Sequence, residues 1–214
     1  MSLFLRIFFR LLYHEFAWLY DLVSASVSGG RWQAWINSIL PLVQDPDILE
    51  LGSGPGHLLF KFRQNKFHAI GLDSSRQMIA LARKKLIRNE FDPCLVRGSG
   101  QALPFCAQSF DFILATFPTE FIFKSSSLLE INRLLRSGGS LIILISAWIT
   151  SRSLVSRFLA WLFRITGQTL SAQIEEERLL KPFTDTGMHA RLHWVNLPDS
   201  RLLFVIVTKI TPKV

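Results

Sequence analysis

Residues 48–57 read Ile-Leu-Glu-Leu-Gly-Ser-Gly-Pro-Gly-His, and this stretch decides the fold. A short apolar run that contains the carboxylate of Glu50 is followed by glycines at alternate positions: Gly52, Gly54 and Gly56. Glycine adopts positive φ without a steric penalty, and it lets a ligand approach the bare backbone. The apolar run predicts the end of a buried parallel strand, and the residues from Leu58 onward predict a helix. The pattern therefore predicts a strand, a ligand-binding turn and a helix in succession.

The spacing of the glycines indicates the kind of ligand. A dinucleotide fingerprint runs G-x-G-x-x-G and places a pyrophosphate on the N-terminus of the helix. Here the spacing is G-x-G-x-G, and Glu50 stands beside the turn, where its charge would repel a pyrophosphate. A cationic ligand, or one that carries an ammonium group, fits this turn better. A turn that serves only the tight packing of strand and helix remains the alternative at this point.

A second acid follows the glycines along the chain. The stretch His-Ala-Ile-Gly-Leu-Asp predicts a strand that ends at Asp73. Its separation from Gly56 is close to the ~20-residue spacing at which a carboxylate binds the ribose hydroxyls of a nucleotide. Ser74 is predicted as a helix N-cap, and apolar residues at helical spacing predict a helix from Ser75 to about Asn89. Met78 belongs to the apolar face of this helix, where a methionine usually only fills the core.

Further strands and helices complete an alternating pattern. Residues 98–105 predict a loop, and residues 109–115 predict a strand. The elements predicted after it are a helix over 127–135, a turn over 137–139, a strand over 140–146 and two final strands over 191–197 and 202–210. Strands that alternate with helices predict an α/β fold with a mostly parallel sheet.

In this order and at these spacings, the motifs resemble those of the class I S-adenosylmethionine-dependent methyltransferases. The resemblance implies a doubly wound, mostly parallel seven-stranded sheet of the Rossmann-like methyltransferase fold, an N-terminal helical cap, and S-adenosyl-L-methionine as the cofactor. In the D-x-S-x-x-M arrangement of this family, the methionine that corresponds to Met78 lies against the adenine. The family commonly has an aspartate where this chain has Ser99, so either Ser99 or Gln101 must accept the adenine amino group. The implied cofactor-binding set is Glu50, Gly52, Gly54, Gly56, Asp73, Ser74, Met78, Ser99, Gln101 and Thr116.

The N-terminal region narrows the acceptor. Residues 20–35, which contain a Tyr-Asp pair, a Ser-Gly turn and two tryptophans, resemble the cap of the ubiquinone/menaquinone biosynthesis C-methyltransferases and their bacterial phospholipid N-methyltransferase relatives. The resemblance covers most of residues 16–147, but it fails at 116–121, where the quinone enzymes carry their own signature. It implies a hydrophobic or membrane-associated small-molecule acceptor, quinone-like or lipid. A non-catalytic binding or accessory protein of the same fold is the alternative, and Ser99 is the best argument for it.

Methyl transfer from a sulfonium needs alignment and the exclusion of water, and it needs a base only if the acceptor must lose a proton. Glu120, just past the fourth strand, is the first candidate to orient or deprotonate an acceptor. Tyr20 is the second, because it could line the acceptor site or close over the methionyl arm. A solvated loop acid and a residue of the cap packing are the respective alternatives. No metal site is predicted, and Cys94 and Cys106 are expected to be buried, reduced thiols.

Length and composition fit one globular unit. The chain has 214 residues, of which 49% are hydrophobic. A chain of this size and composition can bury a sizeable core. We expect a helical cap over residues 1–40 and a cofactor-binding domain over 41–214, with a helical insertion at about 150–180. The formal net charge of +8 suits nucleic acid or an anionic membrane equally. Among the possible partners, nucleic acid ranks third, behind a small-molecule acceptor and a membrane surface, because the motif that base methyltransferases use after the fourth strand is absent.

Two apolar, arginine-bearing segments lie outside this core. In residues 3–20, Arg6, Arg10 and His14 recur every four positions and form a narrow polar stripe on a predicted helix. Residues 151–167 have the same character. Neither reaches the ~20 uninterrupted apolar residues of a spanning helix, so contact with an anionic membrane surface and packing as a cap over the pocket are the two alternatives. The expected location is cytoplasmic, with association at the inner face of the membrane in the first case. The oligomeric state stays open.

Overall fold

Strands and helices alternate along most of the chain in the computed structural model, which describes residues 20–44, 46–150 and 176–210. The elements in order are α1 (Tyr20–Ser28), α2 (Trp32–Asn37), β1 (Asp47–Leu51), α3 (His57–Gln64), β2 (His68–Asp73), α4 (Arg76–Arg88), β3 (Leu95–Arg97), β4 (Phe110–Thr116), α5 (Ser125–Leu134), β5 (Leu135–Ile149), α6 (Glu176–Thr184), β6 (Met188–Leu197) and β7 (Ser200–Lys209). Short 3-10 helices span Leu40–Leu42 and Glu120–Phe123.

The seven strands form one sheet in the order β3-β2-β1-β4-β5-β7-β6. Strands β1 to β5 are parallel to one another, while β7 is antiparallel to both β5 and β6. This confirms the predicted α/β, doubly wound, mostly parallel seven-stranded sheet. The strand order reverses between β1 and β4, and ligands of such sheets bind at the carboxyl ends of the strands at that reversal.

The sheet is covered on both faces. Consecutive residues of β1 and β4 belong to two different apolar clusters, Leu49 and Ile113 to one, Ile48 and Leu114 to the other. Successive side chains of a strand point to opposite faces, so both faces of these strands are buried. This explains why the strands read as nearly continuous apolar runs in the sequence.

The observed boundaries correct some sequence predictions. Helix α5 ends at Leu134, and β5 includes the residues that were predicted as a turn. Phe110 pairs with Leu135 while Phe112 pairs with Ser140, so the extra residues form an irregularity within the strand rather than a separate turn.

Two smaller predictions are also wrong. Ser75, and not Ser74, caps α4, since the Ser75 hydroxyl accepts the Met78 N–H at 3.3 Å. Such a side-chain bond satisfies one of the free N–H groups in the first turn of a helix. Cys106 is exposed and Cys94 is half-buried, where both were expected to be buried, because both lie in loops outside the strands.

Within residues 20–44, 46–150 and 176–210, no helix is long and apolar enough to span a bilayer. Nearly all of the first arginine-bearing segment, and all of the second, lie outside these residues. Whether they contact a membrane or cap the pocket stays a prediction. The proposed division into a cap over 1–40, a domain over 41–214 and an insertion at about 150–180 is likewise still a prediction.

Candidate cofactor and acceptor site

The glycine turn has the predicted conformation. Gly52, Gly54 and Gly56 have φ values of 72°, 52° and 75°. The Leu72 carbonyl accepts the N–H groups of Gly52 at 2.7 Å and Ser53 at 3.1 Å, which fastens the turn to the end of β2. The turn is therefore held rigidly at the carboxyl edge of the sheet.

The three glycines have different surroundings. A Cβ atom at Gly52 or Gly54 would meet nothing within 4 Å. A Cβ at Gly56 would lie 2.8 Å from the Cβ of Ala82 in α4. The first two glycines therefore leave room for a ligand against the backbone, whereas Gly56 is required for the close packing of the turn against α4.

Asp73 joins the turn to the next helix. Its carboxylate is 6% exposed, and it accepts the Gly54 N–H at 2.9 Å and the Ser75 N–H at 2.8 Å. Gly54 lies in the turn and Ser75 caps α4, so one side chain fixes both elements. The predicted ribose-binding carboxylate and the predicted cofactor turn thus face each other directly.

Glu50 is a buried acid with an unsatisfied oxygen. Its side chain is 2% exposed, and burial, reinforced by the negative charge of Asp73, raises its pKa to about 8 against the opposing effect of the Leu59 N–H. Among the described residues, its Oε2 atom has no hydrogen-bond partner, and neither does the hydroxyl of Ser53 in the turn. A buried acceptor without a donor is costly, and an ammonium group would satisfy it. The site therefore fits the amino group of S-adenosylmethionine.

The predicted adenine side is formed by one buried residue and one exposed loop. Met78 is fully buried in the first turn of α4. Ser99 and Gln101 are exposed in the loop after β3, where the Ser99 hydroxyl accepts the Gln101 N–H at 3.3 Å. Ser74 is also exposed, and its carbonyl accepts a hydrogen bond from Arg97. Both Ser99 and Gln101 remain candidates for the adenine amino group.

The remaining predicted residues lie at or near the end of β4 and in the cap. Thr116 is the half-buried last residue of β4, opposite Leu144 of β5. Glu120 is exposed and begins the short 3-10 helix that follows. Tyr20 is the first residue of α1, and the placement of its side chain lies outside what the structure describes. The catalytic roles of Glu120 and Tyr20 stay predictions.

Phe117 is a residue of this region that the sequence reasoning missed. Its φ of 46° is unusual for a bulky side chain. This backbone conformation costs on the order of 1–2 kcal/mol for a residue with a Cβ atom. The ring stacks on Trp32 of the cap, with centroids 4.8 Å apart and planes inclined by 28°, and Trp35 lies 6.2 Å away. Strained residues cluster at functional sites, and the position directly after the fourth strand was the available signal.

The cap is attached to three loops of the domain. Asp21 contacts His57 beside the glycine turn at 2.6 Å, and Trp32 stacks on Phe117 beyond β4. At the hairpin between β6 and β7, Arg31 pairs with Asp199, and the Trp35 indole N–H donates to the Ser200 hydroxyl at 2.9 Å. The cap therefore covers the same sheet edge that carries the glycine turn.

A cavity of about 800 Å³ lies at the opposite edge of the sheet. It is bounded by residues at the amino ends of the strands, among them Asp47, His68 and Phe110. Arg136 bonds Asp47 at 2.8 Å and Asp111 at 2.7 Å there, which ties strand ends together. Because doubly wound sheets bind their ligands at the carboxyl ends, the glycine turn is the candidate cofactor site and this cavity is not.

Comparison with known proteins finds methyltransferases among the relatives of this chain. Residues 49–143 match the family model described as a methyltransferase domain. The ubiquinone/menaquinone biosynthesis C-methyltransferase of Blochmanniella floridana is 30% identical over 164 residues, which cover 72% of this chain and 64% of that protein. The demethylmenaquinone methyltransferase of Thermotoga maritima is 32% identical over 139 residues, which cover 62% of this chain and 59% of that protein. The chain thus spans about three fifths of the length of these relatives.

Solved structures share the fold. A protein of Methanococcus maripaludis superimposes with a TM-score of 0.70 at 17% identity, covering 94% of this chain and 96% of its own. A SAM-dependent methyltransferase of Aquifex aeolicus superimposes with a TM-score of 0.61 at 15% identity, covering 84% of this chain and 93% of its own.

Proposed function

We propose that the chain is a class I S-adenosylmethionine-dependent methyltransferase that transfers the methyl group of this cofactor to a hydrophobic small molecule with a quinone-like ring. The observation that carries the proposal is the aromatic wall at the sheet edge that carries the glycine turn, where the half-buried rings of Phe117 and Trp32 stack and the buried Trp35 packs against them. The quinone-related names of the two relatives reported above support the same acceptor class.

The cofactor is assigned to the turn by the chemistry of its surroundings. Glu50 would receive the ammonium group, the open backbone at Gly52 and Gly54 would lie along the methionyl arm, and Asp73 would accept the ribose hydroxyls. Ser74, Met78, Ser99, Gln101 and Thr116 would complete the adenosine side. Gly56 contributes through its packing against α4 rather than through the ligand.

The acceptor side is assigned from its apolar character. Flat rings pack well on aromatic side chains in offset or edge-on arrangements, and each such pair contributes about 0.5–1.5 kcal/mol beyond its buried area. Trp32 and Phe117 supply such rings. Trp32 belongs to the cap and Phe117 to the loop after β4, so the wall forms only when the cap is in place. The wall therefore suits a planar hydrophobic ring better than a polar amine.

When bound, the cofactor supplies an activated methyl group on a positively charged sulfur. The sulfur is the leaving group and becomes a neutral thioether. The chain then has to align the acceptor in line with the carbon–sulfur bond and exclude water. We assign alignment to the cap and the aromatic wall. Glu120 after β4 and Tyr20 at the start of α1 are the candidates that orient the acceptor or take its proton.

The test is methyl transfer with radiolabelled cofactor and three acceptors: a short-chain demethylmenaquinol, phosphatidylethanolamine and a water-soluble amine. We expect label in the quinol and at most a few per cent of that rate in the other two. Label chiefly in the lipid would contradict the quinone-like acceptor. Binding of the cofactor without transfer to any acceptor would favour the accessory protein instead.

We further propose that the chain works at an anionic membrane surface, a proposal that rests on the pattern of Arg6, Arg10 and His14 in residues 3–20. Arginines beside an apolar helical face bind lipid phosphates while that face enters the headgroup layer. Charge reversal of Arg6 and Arg10 should abolish co-sedimentation with phosphatidylglycerol vesicles. The same reversal of Lys84 and Arg88, which are exposed on α4, is the control and should leave sedimentation largely unchanged. Equal losses in the two pairs would refute the proposal.

A further inference from the structure

Three ionisable side chains from three helices lie in mutual contact around one imidazole beside the glycine turn. Asp21 of α1 contacts the His57 Nε2 atom of α3 at 2.6 Å through its Oδ1 atom. The Lys85 Nζ atom of α4 lies 2.5 Å from the His57 Nδ1 atom and 3.3 Å from its Nε2 atom, so it lies close to both nitrogens of the imidazole. We call this set the relay.

The chemistry of the groups makes His57 the link of the relay. A carboxylate only accepts hydrogen bonds and an ammonium group only donates them, whereas each ring nitrogen of an imidazole can do either. His57 therefore contacts Asp21 of the cap and Lys85 of α4 at the same time.

The surroundings shift the pKa values of both neighbours of His57. The hydrogen bond from His57 holds the pKa of Asp21 below its usual value, so the carboxylate is ionised. Burial lowers the pKa of Lys85, and the charge of Asp21 acts in the opposite direction. The described charged groups that surround the relay are Lys84 and Arg88, which line the same cavity of about 360 Å³ between α1 and α4.

The relay is mechanically close to the cofactor turn. His57 directly follows Gly56, whose backbone packs against Ala82 of α4. Lys85 lies one helical turn beyond Ala82 on the same helix, so it approaches His57 from the helix that already supports the turn. Asp21 is the element that brings the cap into this group. At this point, the cap meets α4 across a polar cavity that also includes Pro55 of the turn.

We propose that the relay of Asp21, His57 and Lys85 couples closure of the cap to cofactor binding at the glycine turn. The three residues act as positioning residues, because they touch the turn and the cap rather than the reacting atoms. The inference goes beyond the proposed acceptor, and it rests on the proposed placement of the cofactor at the turn. A ligand that orders the turn favours the closed cap, and by reciprocity a closed cap strengthens binding of that ligand.

The direct test measures the Kd of S-adenosylhomocysteine by isothermal titration for Asp21→Asn, His57→Ala and His57→Gln. We expect the first two variants to bind about three- to tenfold more weakly, at the low end of coupling effects because the Asp21 side chain is largely exposed. His57→Gln should recover part of the loss, because its amide can donate and accept at once. The double variant Asp21→Asn/His57→Ala should be no weaker than His57→Ala alone.

The matched control is Asp199→Asn. It removes another charged attachment of the cap, the pair with Arg31, which lies at the hairpin and not at the turn. We expect the Kd of S-adenosylhomocysteine to stay within twofold of the wild-type value in this control. An equal loss in Asp199→Asn, or no loss in Asp21→Asn, would overturn the relay and leave only general support of the cap.

A second readout separates coupling from simple destabilisation. In the wild type, S-adenosylhomocysteine should slow amide hydrogen exchange of residues 20–37, and in Asp21→Asn this protection should disappear while protection of residues 52–56 persists. Protection of 20–37 that is unchanged in Asp21→Asn would overturn the proposal. If Asp73→Ala binds S-adenosylhomocysteine as the wild type does, the cofactor placement has failed; if only the Asp21 and His57 variants do so, the relay alone has failed.

Discussion

Asp73→Ala should lower the affinity for S-adenosylhomocysteine by about 100-fold. The carboxylate accepts the N–H groups of Gly54 and Ser75 and is assigned to the ribose hydroxyls. Loss of two charge-assisted hydrogen bonds at about 1.5 kcal/mol each corresponds to this factor, before any disorder of the turn is counted. Isothermal titration of the folded variant gives the number directly.

Two further variants serve as comparisons for Asp73→Ala. Asp73→Asn keeps one acceptor oxygen and should fall between the wild type and the alanine variant. Asp92→Ala removes an exposed acid between α4 and β3, and it should bind S-adenosylhomocysteine with unchanged affinity. A Kd of Asp73→Ala within threefold of the wild-type value would show that the ribose lies elsewhere.

The affinity for S-adenosylhomocysteine should rise about twentyfold between pH 6.0 and pH 7.5. Glu50 has a pKa of about 8 in the free protein, so it is mostly protonated in this range. An ammonium group beside it favours the carboxylate, and binding must then release close to one proton. As the pH rises toward 8, a growing fraction of the free protein is already ionised, and the cost of releasing the proton falls.

Glu50→Gln is the matched control, because the amide has nearly the same shape and does not titrate. Calorimetric titrations in buffers with different ionisation enthalpies give the number of protons released when S-adenosylhomocysteine binds. We expect the wild type to release close to one proton and Glu50→Gln to lack this release. The unliganded wild type should also lose stability as the pH rises from about 4.5 to about 8, since its folded form holds a proton that the unfolded chain has lost. A wild-type affinity that is flat with pH, or that varies equally in Glu50→Gln, would contradict the role of Glu50.

The cofactor side of the site was predictable because it depends on local chemistry. Glycines at alternate positions can only mean an unusual backbone, and Asp73 at the end of the second strand must reach the neighbouring turn at the carboxyl edge. The structure brings the Gly54 nitrogen and the Asp73 carboxylate to 2.9 Å, as the spacing implied. Strands β1 and β4 were equally predictable, because they are buried on both faces and read as apolar runs, whereas the short, half-exposed β3 was not predicted.

The acceptor side depends on contacts between distant parts of the chain. Trp32 and Phe117 lie far apart in the sequence, and no sequence periodicity predicts that their rings stack. The contact between Asp21 and His57 was not predictable either, because the sequence indicates only a cap residue at 21 and the start of a helix at 57. The extended β5 escaped prediction because glycines at 138 and 139 suggest a turn, whereas pairing with β4 keeps them in the strand.

A crystal structure with S-adenosylhomocysteine tests the central claim most directly. The account predicts the ribose hydroxyls within hydrogen-bond distance of Asp73, the amino group beside Glu50, and the sulfur directed toward Phe117. A nucleoside bound at the opposite edge of the sheet, among Asp47, His68 and Arg136, would contradict it.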